Sequence, residues 1–407
     1  MKNKILYLIV ICLTIVLILS GCLASITNIV DKNISSEIED NLVKEIPIIK
    51  DEIPIEVEEI VEDKIEEISI LAVGDIMFHS PQVRAAYLGE SKYDFTSNFK
   101  YVKKYIEEAD ISLANFETVT GGNHIPYSGF PRFNSPKETL LALADTGFDI
   151  ISTANNHSLD RGKDGILSTL DNIEEYGLKS IGTNRNKEDE SILIQEVKGI
   201  KIAFLSYTYG LNGLDSLLTQ DELSFMINLI DEEKIERDIK KAEEIGVDLV
   251  VLFLHWGNEY HRMPSDYQVE LGEKILNWGG NIIFGSHPHV IQKSEGISNE
   301  NDNFIIYSMG NFLSNQSLES MGNSFTEDGL MVKLNIEKNF TKDEIQIKEV
   351  EYIPTWVYKY KSDGKFHYEI IPVEEVIKGQ LELELTEGRY NRIEKSFKDT
   401  IDTINGK

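Results

Sequence analysis

Between Ile68 and Ser308 one theme recurs: a short apolar run, a polar cluster, then an amphipathic stretch of helical period. The runs are Ile68–Val73, Ile111–Ala114, Phe148–Ser152, Ile202–Ser206, Leu249–Leu254, Asn281–Phe284 and Phe304–Ser308. They are a few residues long and rich in β-branched and aromatic side chains, so they read as buried strands. The stretches between them predict helices over Phe99–Glu108, Pro136–Thr146, Lys163–Tyr176, Asp231–Ile245 and Ser265–Trp278. Ser135 ahead of Pro136, and Ser265 ahead of Asp266, read as helix starts. Strands alternating with helices predict a layered α/β domain. Past Glu337 the pattern changes to strand-like alternation, as in Ile345-Gln346-Ile347-Lys348. Residues 68–337 therefore read as the main domain, and 338–407 as a strand-rich extension completing or flanking it.

Six of the seven runs end in residues that can hold a metal. Ile68–Val73 leads into Gly74-Asp75-Ile76-Met77-Phe78-His79, and Ile111–Ala114 into Asn115-Phe116-Glu117-Thr118. The third strand leads into Ala154-Asn155-Asn156-His157-Ser158-Leu159-Asp160. Later strands end in His255-Trp256-Gly257-Asn258-Glu259, in Gly285-Ser286-His287-Pro288-His289 and in Met309-Gly310-Asn311-Phe312. The carboxyl end of the strands is where open α/β sheets bind ligands, so strands sharing one sheet would bring these clusters to one crevice. Any single cluster is more simply a turn, a surface carboxylate or a hydrogen-bonded core histidine. Six at equivalent positions make a shared site the better reading. Imidazole with carboxylate suits zinc, iron or manganese, whereas an all-oxygen set would suit magnesium or calcium. His287 and His289 can face one ion only if the chain turns between them, which Pro288 helps to fix and Gly285 gives room for.

The ends of the chain read differently. Lys2 and Lys4 precede an apolar run, Ile5 to Leu19, that is shorter than the roughly 20 residues a membrane-spanning helix needs. It exits through Leu19-Ser20-Gly21-Cys22, which resembles the bacterial lipobox, in which the cysteine is acylated and becomes the new N-terminus. An uncleaved signal anchor is the alternative. Residues 1–22 are thus expected to be a lipoprotein signal peptide, with lipid on Cys22 and the protein on the extracytoplasmic face of the cell membrane. The other cysteine, Cys12, lies inside the apolar run, which excludes a disulfide framework and a cysteine-ligated metal. Residues 23–67, dominated by Glu, Asp, Ile and Val, read as an acidic extended linker, or less readily as a short strand. The net charge of −29 argues against nucleic acid as a partner.

The ordered set Gly74-Asp75-Ile76-Met77, Asn115-Phe116-Glu117-Thr118, Asn155-Asn156-His157 with Asp160, His255-Trp256-Gly257, Gly285-Ser286-His287-Pro288-His289 and Ser308-Met309-Gly310-Asn311-Phe312 resembles the CapA-type capsule or poly-γ-glutamate synthesis proteins. That family looks like a branch of the calcineurin-like metallophosphoesterases. The resemblance implies two facing β-sheets flanked by helices and one or two divalent ions of the Mn, Fe or Zn type. It implies that Asp75 and His289 hold a first metal, that Asn156, His255 and His287 hold a second, and that Glu117 bridges them. It makes His157, beside Asp160, a general acid or a stabiliser of developing charge. Two departures stand out: Met77 occupies the position where the superfamily carries a histidine, and Glu117 replaces an aspartate. Two functions fit: a metal-dependent hydrolase or transferase on envelope polymers, with an anionic polymer or phosphoester as substrate, or a non-catalytic subunit of an integral-membrane polymer synthase.

Overall fold

The computed structural model describes residues 63–189, 191–298, 301–362 and 364–407. The expected signal peptide, Cys22 and the linker up to residue 62 lie outside these. Among the described residues no helix is long and apolar enough to cross a membrane.

The strands in chain order are β1 (Ile65–Ile76), the small pair β2 (Tyr87–Gly89) and β3 (Lys92–Tyr93), β4 (Ile111–Phe116), β5 (Ile150–Ser152) and β6 (Lys179–Ile181). There follow β7 (Leu193–Val197), β8 (Ile200–Thr208), β9 (Leu249–His255), β10 (Ile282–Ser286), β11 (Ser294–Ser298) and β12 (Asn301–Ile306). The last four are β13 (Asn311–Leu313), β14 (Asp328–Asn339), β15 (Glu344–Ser362) and β16 (Lys365–Pro372). They form two main sheets, as the resemblance implies. The first runs β16-β15-β14-β1-β4-β5-β6, with β13 also paired to β1; the second runs β11-β12-β10-β9-β8-β7. In each sheet the central strands are parallel, β1-β4-β5-β6 in the first and β8-β9-β10-β12 in the second.

Side-chain alternation explains the layering. Ile70, Ala72, Leu113 and Ile150 of the first sheet pack with Phe204, Val251, Phe253 and Phe284 of the second in one core. The intervening residues face outward. Leu71, Val73, Ala114 and Ile151 pack on Leu140, Leu143 and Ile173 of the helices Glu138–Thr146 and Gly162–Glu175. Leu205, Leu252 and Leu254 pack on Ile235, Ile239, Leu271 and Ile275 of the helices Glu232–Ile245 and Asp266–Asn277. The result is helix, sheet, sheet, helix. Strands β4, β5, β9 and β10 are buried along their whole length, hence their near-continuous apolar runs.

Ser265 caps the helix Asp266–Asn277, accepting from the Gln268 N–H in a reciprocal capping box. Ser265→Ala is expected to lower the unfolding free energy by about 1 kcal/mol, read from urea denaturation. Ser135 does not cap: the next helix begins at Glu138 behind Lys137, and the Ser135 hydroxyl pairs with Thr118 at 2.9 Å. The expected helix Phe99–Glu108 is α-helical only over Lys103–Glu107. Phe99 and Val102 nevertheless lie in the core from the irregular turns ahead of it. Ile65–Glu67 already pair with Glu337–Asn339, so β1 starts before Ile68 and β14 runs through Glu337. Residues 344–372 extend the first sheet as β15 and β16, and the helix Glu387–Ile404 follows.

Candidate metal centre

The polar clusters come from two sheets, and they meet because the carboxyl ends of both sheets' parallel strands open on the same side of the core. β1, β4 and β5 deliver Asp75, Glu117 and Asn156; β9 and β10 deliver His255, His287 and His289. All six are buried. One ligand atom from each of Asp75, Glu117 and His289 lies within 4.8 Å of the others, and so does one from each of Glu117, His255 and His287. Glu117 belongs to both sets. Its Oε1 stands 3.6 Å from His255 Nε2 and 3.8 Å from His289 Nε2. His289 Nδ1 faces Asp75 Oδ2 at 3.1 Å, and Asn156 Oδ1 faces His255 Nε2 at 3.1 Å.

Close backbone approach makes this possible. A Cβ on Gly74 would come 2.0 Å from the carbonyl oxygen of Gly310, and one on Gly285 would come 2.0 Å from that of Tyr307. Only glycine fits at the exit of these two strands. Past Gly285 the chain reverses sharply. His287 and His289 both take positive φ, 95° and 57°, on either side of Pro288. Non-glycine residues rarely adopt such angles, which cost on the order of 1–3 kcal/mol each and cluster at functional sites. The turn leaves the two ring centroids 6.0 Å apart.

The electrostatics fit a divalent cation. Both carboxylate oxygens of Glu117 and Nδ1 of His287 are buried without a hydrogen-bond partner. Burial, with Asp75 and Glu259 adding repulsion, pushes the Glu117 carboxyl well above the usual range. Burial also holds His255 well below the ordinary imidazole range and His287 down to about 3. Neutral imidazoles beside a carboxylate that lacks a counter-charge are what a divalent ion requires of its ligands. These residues could hold such an ion.

His157 sits beside the cluster. Its Nδ1 is paired with Asp160 Oδ2 at 2.8 Å, and that oxygen also accepts from the Phe133 N–H at 2.6 Å. The ring lies edge-on to Phe133, centroids 4.7 Å apart. With His79, Met77, Glu259, Tyr260 and His289 it lines a cavity of about 270 Å³. Met77, at the departure position, thus brings a thioether to the cavity wall. His79 joins the wall but none of the three potential metal-binding groups among the described residues.

Sequence analysis missed four supporting side chains. Asn115 donates to Asp75 Oδ1 at 2.8 Å, and Asn311 Oδ1 faces His289 Nδ1 at 3.1 Å, so each potential ligand is oriented by an amide behind it. Both were quoted within clusters but given no role. Tyr209 packs at a tilt against His287, centroids 4.4 Å apart, and Asn212 accepts from Asn156 at 3.3 Å. These two follow β8, the one strand whose polar exit sequence reading passed over. Glu259, with His287 and His289, forms a third group of potential ligands at the rim, where the carboxylate is exposed.

Residues 69–316 match the family described as bacterial capsule synthesis protein PGA_cap. The chain is 29% identical over 286 residues to the capsule biosynthesis protein CapA of Bacillus anthracis, covering 68% of this chain. It is 31% identical over 256 residues to the PGA biosynthesis protein CapA of Bacillus subtilis (strain 168), covering 60% of this chain. The aligned regions span 66% and 62% of those relatives' own lengths. Among solved structures, the calcineurin-like phosphoesterase YfkN from Bacillus subtilis aligns at 14% identity and a TM-score of 0.41, over 84% of this chain and all of that one. A phosphatase from Mycoplasma pneumoniae aligns at 15% and 0.43, over 72% and 94%.

Proposed function

The chain belongs to the bacterial capsule synthesis protein family, and from that premise we propose that it is a metal-dependent hydrolase or transferase of the metallophosphoesterase kind acting on envelope polymers. The observation that carries this is Glu117, fully buried among imidazoles with both oxygens unpartnered. Asp75, Glu117 and His289 would hold one divalent ion, and Glu117, Asn156, His255 and His287 a second. Bound there, such a cation supplies Lewis acidity toward a phosphoryl or carbonyl oxygen. The remaining roles fall to the chain's own groups. Asp160 fixes the ring of His157 through Nδ1, leaving Nε2 as the nitrogen that gives a proton to a leaving group or stabilises developing charge. Phe133 and the cavity wall limit water around that ring. An anionic polymer or phosphoester suits the site, and lipid on Cys22 would hold the protein at the extracytoplasmic membrane face.

The test is turnover of bis-p-nitrophenyl phosphate and of candidate envelope polymers with added Mn²⁺. His157→Ala is expected to lower kcat about 100-fold while metal content, measured by elemental analysis, stays at the wild-type value. Absence of metal-dependent turnover on every substrate would count against the enzyme. One observation favours a second reading: Met77 offers sulfur where the superfamily has a histidine. In that case the chain is a non-catalytic subunit of an integral-membrane polymer synthase, and polymer assembly would survive His287→Ala.

A further inference from the structure

Beside the His157 cavity lies a second one of about 370 Å³, built largely by β15, β16 and the helix Glu387–Ile404. Asn315 and Gln316 line both cavities and form the wall between them. That wall is tied to the metal cluster: Asn311 donates to Gln316 Oε1 at 3.0 Å while its own Oδ1 faces His289. Most residues of the second cavity lie beyond residue 316, outside the family match.

The cavity is cationic in a strongly acidic protein. Lys359, Lys361, Arg389 and Arg392 line it. Its two carboxylates, Glu319 and Glu327, are both taken by Arg392. Lys359, Lys361 and Arg389 therefore have no carboxylate within ion-pair distance among the described residues. With 69 acidic residues against 40 basic ones, acidic partners are plentiful, and Lys100, Lys104, Lys163 and Lys274 each have one. Lys359 instead donates to Asn315 Oδ1 at 2.9 Å and lies 5.1 Å from the centre of the Phe366 ring. Arg389 sits over Tyr358 at 5.4 Å and donates to the Lys359 carbonyl at 3.0 Å. Both cations are held by aromatic rings and neutral acceptors, so their charge is positioned but not cancelled. Burial pulls Lys359 below the ordinary lysine range, although Glu319 and Glu327 oppose it. Such a concave group of uncompensated cations attracts an anion.

We propose that this cavity is an anion-binding subsite that seats a carboxylate or phosphate on an extended ligand whose reacting group lies at the Glu117 cluster. The role of the second half of that statement rests on the enzymatic reading above; the binding itself does not. The exposed ring of Phe366 would receive the apolar stems between charges. The C-terminal segment then selects ligands with a second acidic group, and the metal cluster does the chemistry.

Binding of glutamate pentapeptide, tripolyphosphate and a neutral serine pentapeptide is to be measured by calorimetry at fixed ionic strength. The proteins compared are wild type, Lys361→Glu, Arg389→Glu, His287→Ala and Lys240→Glu, the last on the outer helix of the second sheet. Wild type should bind one of the two anions and not the neutral peptide, and which one distinguishes carboxylate from phosphate. Each pocket reversal should weaken that binding about tenfold or more, as expected for loss of a charged hydrogen bond. Lys240→Glu should leave it within twofold, and so should His287→Ala, which separates the subsite from catalysis. On bis-p-nitrophenyl phosphate, Lys240→Glu should keep wild-type kcat/KM. The subsite is refuted if neither anion binds better than the neutral peptide, or if both reversals bind as wild type does.

Discussion

Glu117→Gln is expected to abolish metal-induced stabilisation and to cut any metal-dependent turnover by a factor on the order of 1,000 or more. A carboxylate without hydrogen-bond partners in the interior is costly, and in the metal-free protein the cost is met by keeping the proton. A divalent cation changes the balance by replacing that proton. Wild type at a metal concentration about 1,000 times the dissociation constant should gain roughly 4 kcal/mol. For a domain of this size that is about 6 °C in Tm. Glutamine has nearly the same shape, carries no charge and needs no counter-ion. The variant should therefore unfold, metal-free, at or above the wild-type temperature and show no rise when Mn²⁺ or Zn²⁺ is added. A chelator should lower the Tm of the wild type alone. The two opposite signs separate a lost ligand from a damaged fold: a variant that melts low in both conditions is misfolded. One that rises with metal as wild type does removes Glu117 from the site.

Asp328→Asn is expected to stabilise the protein at neutral pH and to have little effect near pH 4. Asp328 opens β14 and is buried against the helix Glu387–Ile404, where its Oδ1 accepts from the Ser396 hydroxyl at 2.6 Å. Burial, with Glu327 and Asp399 adding repulsion, raises its carboxyl from an unfolded value of 3.8 to about 7. The folded state therefore binds the proton more tightly than the unfolded state does. Below pH 4 both states hold it and the group is neutral in its effect. Between pH 4 and 7 the unfolded chain releases the proton first, so stability falls as pH rises. Above pH 7 the folded protein carries the whole penalty, about 4 kcal/mol. Asparagine keeps the acceptor for Ser396 and cannot ionise. The difference in unfolding free energy between variant and wild type, from urea titrations at pH 4.5, 6 and 8, should grow with pH. Parallel stability curves would show that Asp328 does not titrate in this range.

Both predictions turn on residues whose character depends on their surroundings, and this is the line along which the sequence was readable. The αβ alternation was plain because every central strand is covered on both faces, which forces continuous apolar runs such as Leu249–Leu254. The ligand candidates were plain because polar residues placed just after such runs have no structural reason to gather six times over. Ser265 read correctly as a cap because its capping box is local, three residues long. Ser135 read wrongly because its hydroxyl is claimed by Thr118, a partner 17 residues away in the chain. Tyr209 and Asn212 were missed because a tyrosine and an asparagine in a glycine-rich loop have many uses. Only the fold, by placing β8 beside β9, lays them on His287 and Asn156.

The amino-acid sequence by itself determined the local parts: which segments are strands, and that their exits carry imidazole and carboxylate. Those properties reside in periodicity and side-chain type, which need no distant partner. Tertiary structure alone decided how the clusters close on a common rim, with Glu117 Oε1 3.6 Å from His255 and 3.8 Å from His289, and that Tyr209 and Asn212 join them. It also decided that Lys359, Lys361 and Arg389, unremarkable along the chain, share a cavity with no acid within ion-pair distance of them among the described residues. Charge compensation and burial are sums over neighbours brought together by folding, so no reading of adjacent residues could have supplied them.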